Sequence, residues 1–448
     1  MTSNPVPTAP TPVNIRKVAM ASAIGCTIEW YDFFLYNTFA ALVFNKLFFP
    51  SFDPLVGTML AYATALVGFI ARPVAGVLFG HFGDRIGRKK MLILTLLIMG
   101  IGTFLIGLLP TYESIGVWAA ALLLVLRVAQ GLGVGGEWGG AVLMAVEHSP
   151  SGRRGFYGSW PQMGVPAGLA LATAMVAIFS SLPGDMFLQW AWRIPFLLSI
   201  LLVGVGIYIR LKLMETPAFT RVQETRTVSR VPFMDLIRNY PKQILLGMGC
   251  RYIEGVAFNI YGVFVITYLV TALKLPRTTA LLAVTTASLV MLFFIPLFGR
   301  LSDTLGRRRV FGTAALLTGL FAFPAFWVMS SAGGNGVLVA LAIIIPFGIV
   351  YAAVYGPEAA LFSELFDTRV RYSGISFVYQ FSGIFASGLT PIIATALLKQ
   401  NDGQPWLVAT YMLIVGVISA LSAWALRETA QADIAQPTER FAASPPRA

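Results

Sequence analysis

Two carboxylates, Glu29 and Asp32, lie within the otherwise aromatic and aliphatic stretch GCTIEWYDFFLY at residues 25–36. Their i and i+3 spacing places both side chains on one face of a helix. A charge facing lipid costs several kcal/mol, so we expect this face to point to a cavity or a partner. A carboxylate buried beside another can take up and release a proton near neutral pH, which suits proton coupling, and Asp32 is the first candidate because it lies deeper. The alternative is a permanent ion pair with an arginine of another helix.

A second polar stripe consists of Arg127, Gln130 and Glu137, whose spacings of 3 and 7 residues fit one face of a helix. An arginine can bind a carboxylate substrate through two parallel hydrogen bonds, and Gln130 lies beside it as a further contact. Glu137 is then either the resting partner of Arg127 or another proton-carrying group. A fixed ion pair inside the membrane would explain the same residues.

Arg251 and Glu254 repeat the i and i+3 spacing in the second half of the chain, and Asn259 and Tyr261 follow them. We predict Glu254 as a further proton site and the other three as substrate contacts. The alternative for Arg251 is a side chain that extends to the membrane surface. Two amides complete the predicted substrate contacts, namely Gln162 and Gln380.

The sequence indicates neither a metal site nor an enzyme active site. Cys26 and Cys250 are far apart, as are His81 and His148, and none of them has metal-ligand spacing. No set of nucleophile, base and orienting residue suggests an enzyme, and we expect no cofactor other than protons as the coupling ion. The glycines of GLGVGG at 131–136 fit the dinucleotide pattern, but no strand precedes them, so close packing of helices is the better explanation.

The composition places these residues in a membrane protein. Of 448 residues, 57% are hydrophobic and 12% are charged, against about 25% charged residues in soluble domains. Apolar stretches of about 20 residues, long enough to cross a bilayer as helices, recur along the chain. We predict an all-α membrane protein with twelve transmembrane helices. The predicted ranges are 17–44, 54–80, 91–110, 116–146, 155–181, 190–212, 243–271, 278–299, 309–330, 336–361, 373–399 and 405–427.

The positive charges predict the orientation of the chain. The net charge is +12, and most of the 32 Lys and Arg residues lie in alternate loops, on the side of the two termini. Cytoplasmic loops of membrane proteins carry such an excess, so we expect both termini in the cytoplasm. The same distribution makes a nucleic-acid partner unnecessary as an explanation of the charge.

Two repeated motifs divide the chain into halves. GHFGDRIGRKK at 80–90 recurs as GRLSDTLGRRR at 299–309, which indicates a duplicated six-helix unit with two pseudo-symmetric halves around a central cavity. The predicted organisation is a disordered cytoplasmic tail at 1–16, a six-helix bundle at 17–212, a cytoplasmic linker at 213–242, a second bundle at 243–427 and a cytoplasmic tail at 428–448.

A second repeat consists of Glu147 with Arg154 and, at nearly the same offset, Glu364 with Arg371. Each carboxylate precedes its arginine by seven residues, between corresponding spans of the two halves. We expect these groups to form salt bridges at the inner surface, one set in each half.

The motifs resemble those of the major facilitator superfamily. GHFGDRIGRKK resembles the loop motif that follows the second span in that superfamily, and its weaker copy follows the eighth span. IEWYDFFLY, RVAQGLGVGGEWGGA, RRGFYGSWPQMGVPAG and YGPEAALFSELF are similar to the metabolite:proton symporter family within it, most of all to its shikimate permease-type importers. The resemblance implies a gating role for the loop motif, with anchoring at the lipid surface as the alternative for its basic residues. The residues concerned are Asp84, Arg85, Arg88, Asp303 and Arg307.

The sequence thus predicts a proton-coupled symporter that imports a small organic acid such as shikimate by alternating access. The expected setting is the bacterial inner membrane, with the lipid bilayer and an organic anion as partners and a monomeric state. Other substrates consistent with the resemblance are dicarboxylates, aromatic acids and zwitterionic osmolytes. An alternative from another class is a membrane sensor that has this fold and does not transport.

Overall fold

A computed structural model describes residues 15–50, 54–86, 88–135, 137–150, 152–183, 186–212, 232–366 and 371–430, with no strand among them. Within these residues, ten helices are long and apolar enough to cross a membrane, and Ile93–Leu108 is a shorter apolar helix. The twelfth crossing is made by the first helix, which carries Glu29 and Asp32. The predicted all-α fold with twelve transmembrane helices is confirmed.

The first half has six crossings, with a short helix, Tyr112–Ile115, between the third and the fourth. They are α1 (Ile15–Phe39, continued by Ala40–Phe44 and Asn45–Leu47), α2 (Pro54–Ile86), α3 (Arg88–Leu108), α4 (Val117–Val134 and Glu137–Glu147), α5 (Arg154–Ser180) and α6 (Phe187–Ala191 and Arg193–Lys212).

The second half has the other six, and a short helix, Pro232–Asn239, precedes them at the end of the predicted linker. They are α7 (Pro241–Asn259, Ile260–Phe264, Val265–Thr267 and Tyr268–Ala272), α8 (Arg277–Leu305), α9 (Arg307–Leu320 and Ala322–Ser331), α10 (Gly336–Ile343, Ile344–Val350 and Ala352–Glu364), α11 (Arg371–Gly383, Ile384–Gly388 and Thr390–Gln400) and α12 (Trp406–Ala425).

Most helix ends fall within a few residues of the predicted ones, but α2 and α8 run about six residues further. Both continue through the first part of the repeated motif, to Ile86 and Leu305, where the prediction has a loop. In the second copy the helix stops at Gly306, whose φ of 97° is strained for any residue with a Cβ. Asp303, the acidic residue of this copy, therefore lies within a helix, and the helix fixes the direction of its side chain.

The two halves meet mainly through α5 against α8 and through α2 against α11, which are equivalent pairs in a duplicated unit. Glycines allow the close approach of α5 and α8, since a Cβ on Gly299 would lie 2.6 Å from the carbonyl oxygen of Gly155. Within the first half, a Cβ on Gly131 would overlap the backbone of Gly68. The interpretation of the glycine pattern as close helix packing is therefore confirmed for Gly131.

Candidate substrate and proton site

The first half encloses a small cavity between α1, α2, α3 and α4. Two arginines, Arg72 and Arg127, share it with the amide of Gln130, and the remaining surface is apolar or glycine. The lining residues are Phe33, Gly68, Arg72, Met99, Arg127, Gln130, Gly131 and Val134.

The two guanidinium groups are held by aromatic rings. The Cζ atom of Arg72 lies 4.1 Å from the ring centre of Phe69 and 4.8 Å from that of Phe33. The Cζ atom of Arg127 lies 4.9 Å from the same Phe33 ring and 4.2 Å from the ring of Tyr36. Cation–π contacts stabilise a desolvated arginine by about 2 kcal/mol and leave its N–H groups free to bind a planar anion.

No carboxylate forms an ion pair with Arg72 or Arg127 in the described part of the chain. Both side chains are buried, with 3% and 2% of their surface exposed. Nη1 of Arg127 donates to Oε1 of Gln130 at 3.1 Å, and Nε2 of Gln130 donates to the hydroxyl of Thr103 at 2.6 Å. Two buried cations thus line one cavity, and among the described residues the one hydrogen bond that either of them donates goes to the neutral amide of Gln130.

Asp32 lies fully buried beside Thr103. By geometry neither carboxylate oxygen of Asp32 has a hydrogen-bond partner among the described residues, and the neighbouring Thr103 hydroxyl donates to the carbonyl of Met99 at 3.0 Å. Glu29 is 4% exposed and lies within electrostatic reach of both Asp32 and Arg72. The expectation that this helix face points inward is confirmed by burial. The side chain of Glu137, the third predicted carboxylate of this half, lies outside the described residues.

A chain of polar and aromatic contacts joins the two halves beside this cavity. Nε1 of Trp138 in α4 donates to Oε1 of Gln162 in α5 at 2.9 Å, and Nε2 of Gln162 lies 3.3 Å from Oε2 of Glu358 in α10. The Trp138 ring stacks on Tyr379 of α11 with 3.7 Å between ring centres. Arg251 of α7 lies over the other side of this contact, with its Cζ atom 4.1 Å from the Tyr379 ring centre.

Arg251 forms an ion pair with Glu254 inside the bundle of the second half. The hydroxyl of Tyr351 also donates to Glu254 Oε1, at 3.0 Å. Arg251 is 3% exposed and lies ten residues after the start of α7 at Pro241, so it does not extend to a membrane surface in this structure. The spacing argument correctly placed the two charges on one face, where they bind each other.

The remaining predicted substrate contacts are dispersed. Nε2 of Gln380 donates to the carbonyl of Gly135 at 3.2 Å, which joins α11 to α4. Asn259 donates to Gly255 in its own helix at 2.8 Å. Tyr261 packs between the rings of Phe326 and Phe347, within the second half and away from the Arg127 cavity. Within α7, the π-helical turn at Ile260–Phe264 rotates Tyr261 away from the face of Asn259.

The predicted gating residues of the second motif copy form a contact between the halves. Oδ1 and Oδ2 of Asp303 accept hydrogen bonds from the backbone N–H groups of Gly155 and Phe156, at 2.8 and 3.0 Å. Asp303 thus caps the N-terminus of α5, the helix of the opposite half, where a negative charge is favoured. Arg307 Nη2 donates to Asp303 Oδ1 at 2.8 Å. The side chains of the first copy, Asp84, Arg85 and Arg88, lie outside the described residues.

The salt bridges of the second repeat join the two halves, so the prediction of one set in each half is wrong. Arg371 Nη1 lies 3.1 Å from Oε1 of Glu147 in the opposite half. Arg154 Nη1 lies 3.7 Å from Glu364 Oε1, again across the interface, and Arg307 binds the same carboxylate at 3.3 Å. The physical reason is that the duplicated halves face each other, which brings each carboxylate to the partner repeat's arginine. We call Glu147, Arg154, Asp303, Arg307, Glu364 and Arg371 the closure cluster.

The first residues of the predicted C-terminal tail also bind at this place. Glu428 Oε1 accepts from the backbone N–H of Arg307 at 2.8 Å and caps α9. The hydroxyl of Thr429 donates to Oε2 of Glu364 at 2.7 Å. Nothing in the sequence distinguished these two residues from the polar segment that follows them.

Sequence reasoning missed two buried ionisable residues, Arg72 and Glu358. The structure stacks Arg72 on Phe33 and Phe69. Glu358 is fully buried in α10. It was visible as the one carboxylate within the apolar run 336–361, and that signal was sufficient to identify it.

The chain matches the family described as "Sugar (and other) transporter" over residues 18–231 and the family described as "Major Facilitator Superfamily" over residues 247–447. The shikimate transporter of Escherichia coli (strain K12) is 40% identical over 93% of this chain and 95% of its own length. The chain belongs to the major facilitator superfamily. Because the chains match over nearly their whole lengths, the family assignment applies to both halves.

Other relatives have different named substrates. The inner membrane metabolite transport protein YhjE of Escherichia coli (strain K12) is 40% identical over 88% of this chain and 90% of its own length. The proline/betaine transporter of the same organism is 35% identical over 93% of this chain and 84% of its own length. The crystal structure of a D-xylose-proton symporter superposes with a TM-score of 0.71 at 18% identity, over 93% of this chain and 99% of that one, which shows the fold. These relatives are transporters, so the prediction that the chain is not an enzyme is confirmed. The chain is a multi-pass membrane protein that moves a small molecule.

Proposed function

We propose that this transporter imports a small organic acid together with protons by alternating access, with shikimate and related carboxylates as the first substrates to test. The observation that carries the proposal is the pair of buried guanidinium groups, Arg72 and Arg127, which have no carboxylate partner among the described residues. The 40% identity to the shikimate transporter supports the same class of substrate.

Electrostatics favours an anion in this cavity. An isolated buried charge costs several kcal/mol, and a substrate carboxylate would offset that cost with charge-assisted hydrogen bonds. The rings of Phe33 and Tyr36 hold the guanidinium of Arg127, and Phe33, which lines the cavity, offers apolar surface to a carbon skeleton. A zwitterion would bring its own ammonium group next to the two cations, so we rank an osmolyte below an acid. Dicarboxylates and aromatic acids satisfy the same site.

Asp32 is the proposed proton carrier of the first half. An ionised carboxylate that is fully buried and accepts no hydrogen bond is costly, whereas a protonated one is not. Movement of the halves that admits water to α1 would let Asp32 release its proton. Glu29, within electrostatic reach of Asp32, is the second candidate in this half.

The closure cluster is the proposed gate on the side of the chain termini. The support for this is that Asp303 and two salt bridges, Arg371 with Glu147 and Arg154 with Glu364, join the halves on that side. Opening requires all of these contacts to break, and substrate and proton binding would change their balance.

We further propose that the protein lies in a bacterial inner membrane as a monomer, with both termini in the cytoplasm and with protons as the only coupling ion. The excess of Lys and Arg in the loops on the side of the termini supports this orientation. One relative is named as an inner membrane protein, which supports the membrane assigned.

Uptake of labelled shikimate and a panel of carboxylates into proteoliposomes tests the proposal, with and without an inward proton gradient. We expect accumulation only with the gradient, and we expect Asp32→Asn to lose accumulation while it retains exchange. Thr27→Val is the matched control, because the Thr27 hydroxyl donates only to Ala23 in the same helix, at 2.8 Å. Binding without any uptake would support the sensor alternative, and accumulation above the external concentration that does not depend on the proton gradient would refute proton coupling.

A further inference from the structure

Glu358 is a buried carboxylate that the mechanism above does not use. It is 0% exposed, in the middle of the last segment of α10. Its Oε1 atom has no hydrogen-bond partner among the described residues, and its Oε2 atom accepts one hydrogen bond, from Gln162 at 3.3 Å. Gln162 belongs to α5 of the opposite half, and Nε2 of Gln162 also lies 3.4 Å from the carbonyl oxygen of Tyr355. The only donor to Glu358 is therefore neutral, long and shared.

The charges around Glu358 do not balance. Among the described residues, Arg251 is the one cation within electrostatic reach of Glu358, and it is already paired with Glu254. Glu254 has two donors, since Tyr351 also binds it, whereas Glu358 has only the Gln162 amide. The guanidinium of Arg251 and the ionised carboxylates of Glu254 and Glu358 together carry one net negative charge in a buried place. A proton bound to one carboxylate neutralises that charge. The other titratable groups that act on Glu358 are neutral hydrogen donors in their ordinary state, namely Cys250, Tyr351, Tyr355 and Tyr379.

We propose that Glu358 binds and releases a proton in each transport cycle, as a second proton site that belongs to the second half of the molecule. This inference rests on the proposed proton coupling and adds to the site at Asp32. In the closed arrangement, the carboxyl group of Glu358 holds the proton, and Glu254 remains the partner of Arg251.

The contact with Gln162 links this proton to the movement of the halves. The α5 and α10 helices pack against each other across the interface, and the closure cluster lies at the adjoining ends of the same two helices. When the closure cluster opens, α5 moves away from α10, and water reaches Glu358. The proton then passes from the carboxyl oxygen to water, and the remaining carboxylate is stabilised by water and by Arg251. After the cluster has closed and the opposite side has opened, Glu358 takes up a proton from that side, which restores the protonated closed arrangement.

The test is transport by Glu358→Gln, Glu358→Asp and Ser363→Ala in proteoliposomes, with a labelled carboxylate that the wild type exchanges. Glutamine imitates the protonated side chain, so we expect exchange within about twofold of wild type and a loss of gradient-driven accumulation of at least tenfold. Aspartate keeps a titratable group and should retain accumulation. Ser363 is the matched control, since its buried hydroxyl donates only to Ala359 in the same helix, at 2.7 Å.

Accumulation by Glu358→Gln equal to that of wild type would overturn the inference. If wild type exchanges substrate but never accumulates it, the proposed proton coupling itself fails, and the two failures are thereby distinguished.

Gln162→Leu is a second variant that leaves the carboxylate in place, in case the glutamine variant does not fold. Losing the only donor to the ionised form should move the pH midpoint of exchange upward by about one unit, a tenfold change in proton affinity. An unchanged midpoint would also contradict a proton on Glu358.

Discussion

Replacing Asp303 by asparagine should open the molecule on the side of the chain termini. Asp303 binds the N–H groups of Gly155 and Phe156 across the interface, and both bonds must break when the halves separate there. Asparagine retains one acceptor oxygen, but its NH₂ group would face the second N–H group, and the negative charge at the start of α5 is lost. The variant therefore weakens the closed state and leaves the open state unchanged.

The size of the effect follows from the two bonds. Hydrogen bonds to charged groups contribute about 1.5–3 kcal/mol each, and asparagine keeps part of one of them. A net loss of about 2–4 kcal/mol moves the equilibrium between closed and open states by about 30- to 1,000-fold. The pair of Arg307 with Glu364 cannot compensate for the free energy lost in the variant, because this pair is already present in the wild type.

Reactivity of a buried cysteine measures the opening. Ser159 is 0% exposed at the contact between α5 and α8, and a cysteine at this position becomes accessible to a water-soluble maleimide only when that contact opens. In a background without Cys26 and Cys250, Asp303→Asn should increase the labelling rate at least tenfold. Thr304→Val is the control, because the Thr304 hydroxyl donates only to Leu301 of its own helix, at 2.9 Å. An unchanged labelling rate in Asp303→Asn would refute the capping contact as a determinant of closure.

Three further predictions concern single residues. Arg72→Lys loses the planar group that stacks on aromatic rings, so substrate affinity measured by equilibrium binding should fall about 10- to 100-fold, and an unaltered affinity would remove Arg72 from the site. Gly131→Ala places a Cβ against the backbone of Gly68 and should destabilise the protein by about 1–3 kcal/mol in thermal unfolding, whereas Gly204→Ala, which faces open space, should not. Glu428→Ala removes the cap of α9 and should cost about 0.5–2 kcal/mol in the same assay, and an unshifted melting temperature would contradict it.

The sequence predicted the helices well, because each crossing needs a long apolar stretch that ends at loops rich in charge. It also identified Asp32 and Arg127 as buried, since charges so far inside an apolar helix have few alternatives. The extension of α8 to Leu305 was missed because polar residues on the last helical turns look like a loop when the helix leaves the membrane. Gly306, with its positive φ, was the better signal of the end.

The contacts between the halves could not be predicted from local patterns. Glu147 pairs with Arg371, and Glu364 pairs with Arg154. This exchange of partners depends on how the duplicated units face each other, and the spacing within one unit carries no information on that. Tyr261 shows a second limit of local patterns, because it lies within the π-helical turn Ile260–Phe264, which changes the face on which it lies. Helical spacing predicts a face only while the helix keeps its regular period.

The position of Arg72 follows a different rule. Its side chain is stabilised by aromatic rings, which sequence spacing does not reveal, and Glu29 acts on it only through electrostatic reach. Phe33 belongs to α1 and Phe69 to α2, so only the packing of these two helices creates the place where the guanidinium lies. Among the described residues Arg72 forms no salt bridge, and this feature favours a binding site over a structural ion pair.

The most direct test of the central claim is the pH inside wild-type proteoliposomes when substrate is added outside without any imposed gradient. A fluorescent pH indicator trapped in the lumen reports proton entry, and labelled shikimate or another carboxylate from the panel reports substrate entry in the same vesicles. The account predicts that the lumen acidifies as the carboxylate enters and that Asp32→Asn abolishes the acidification. Entry of the carboxylate with no change in the luminal pH beyond that of empty liposomes would contradict it.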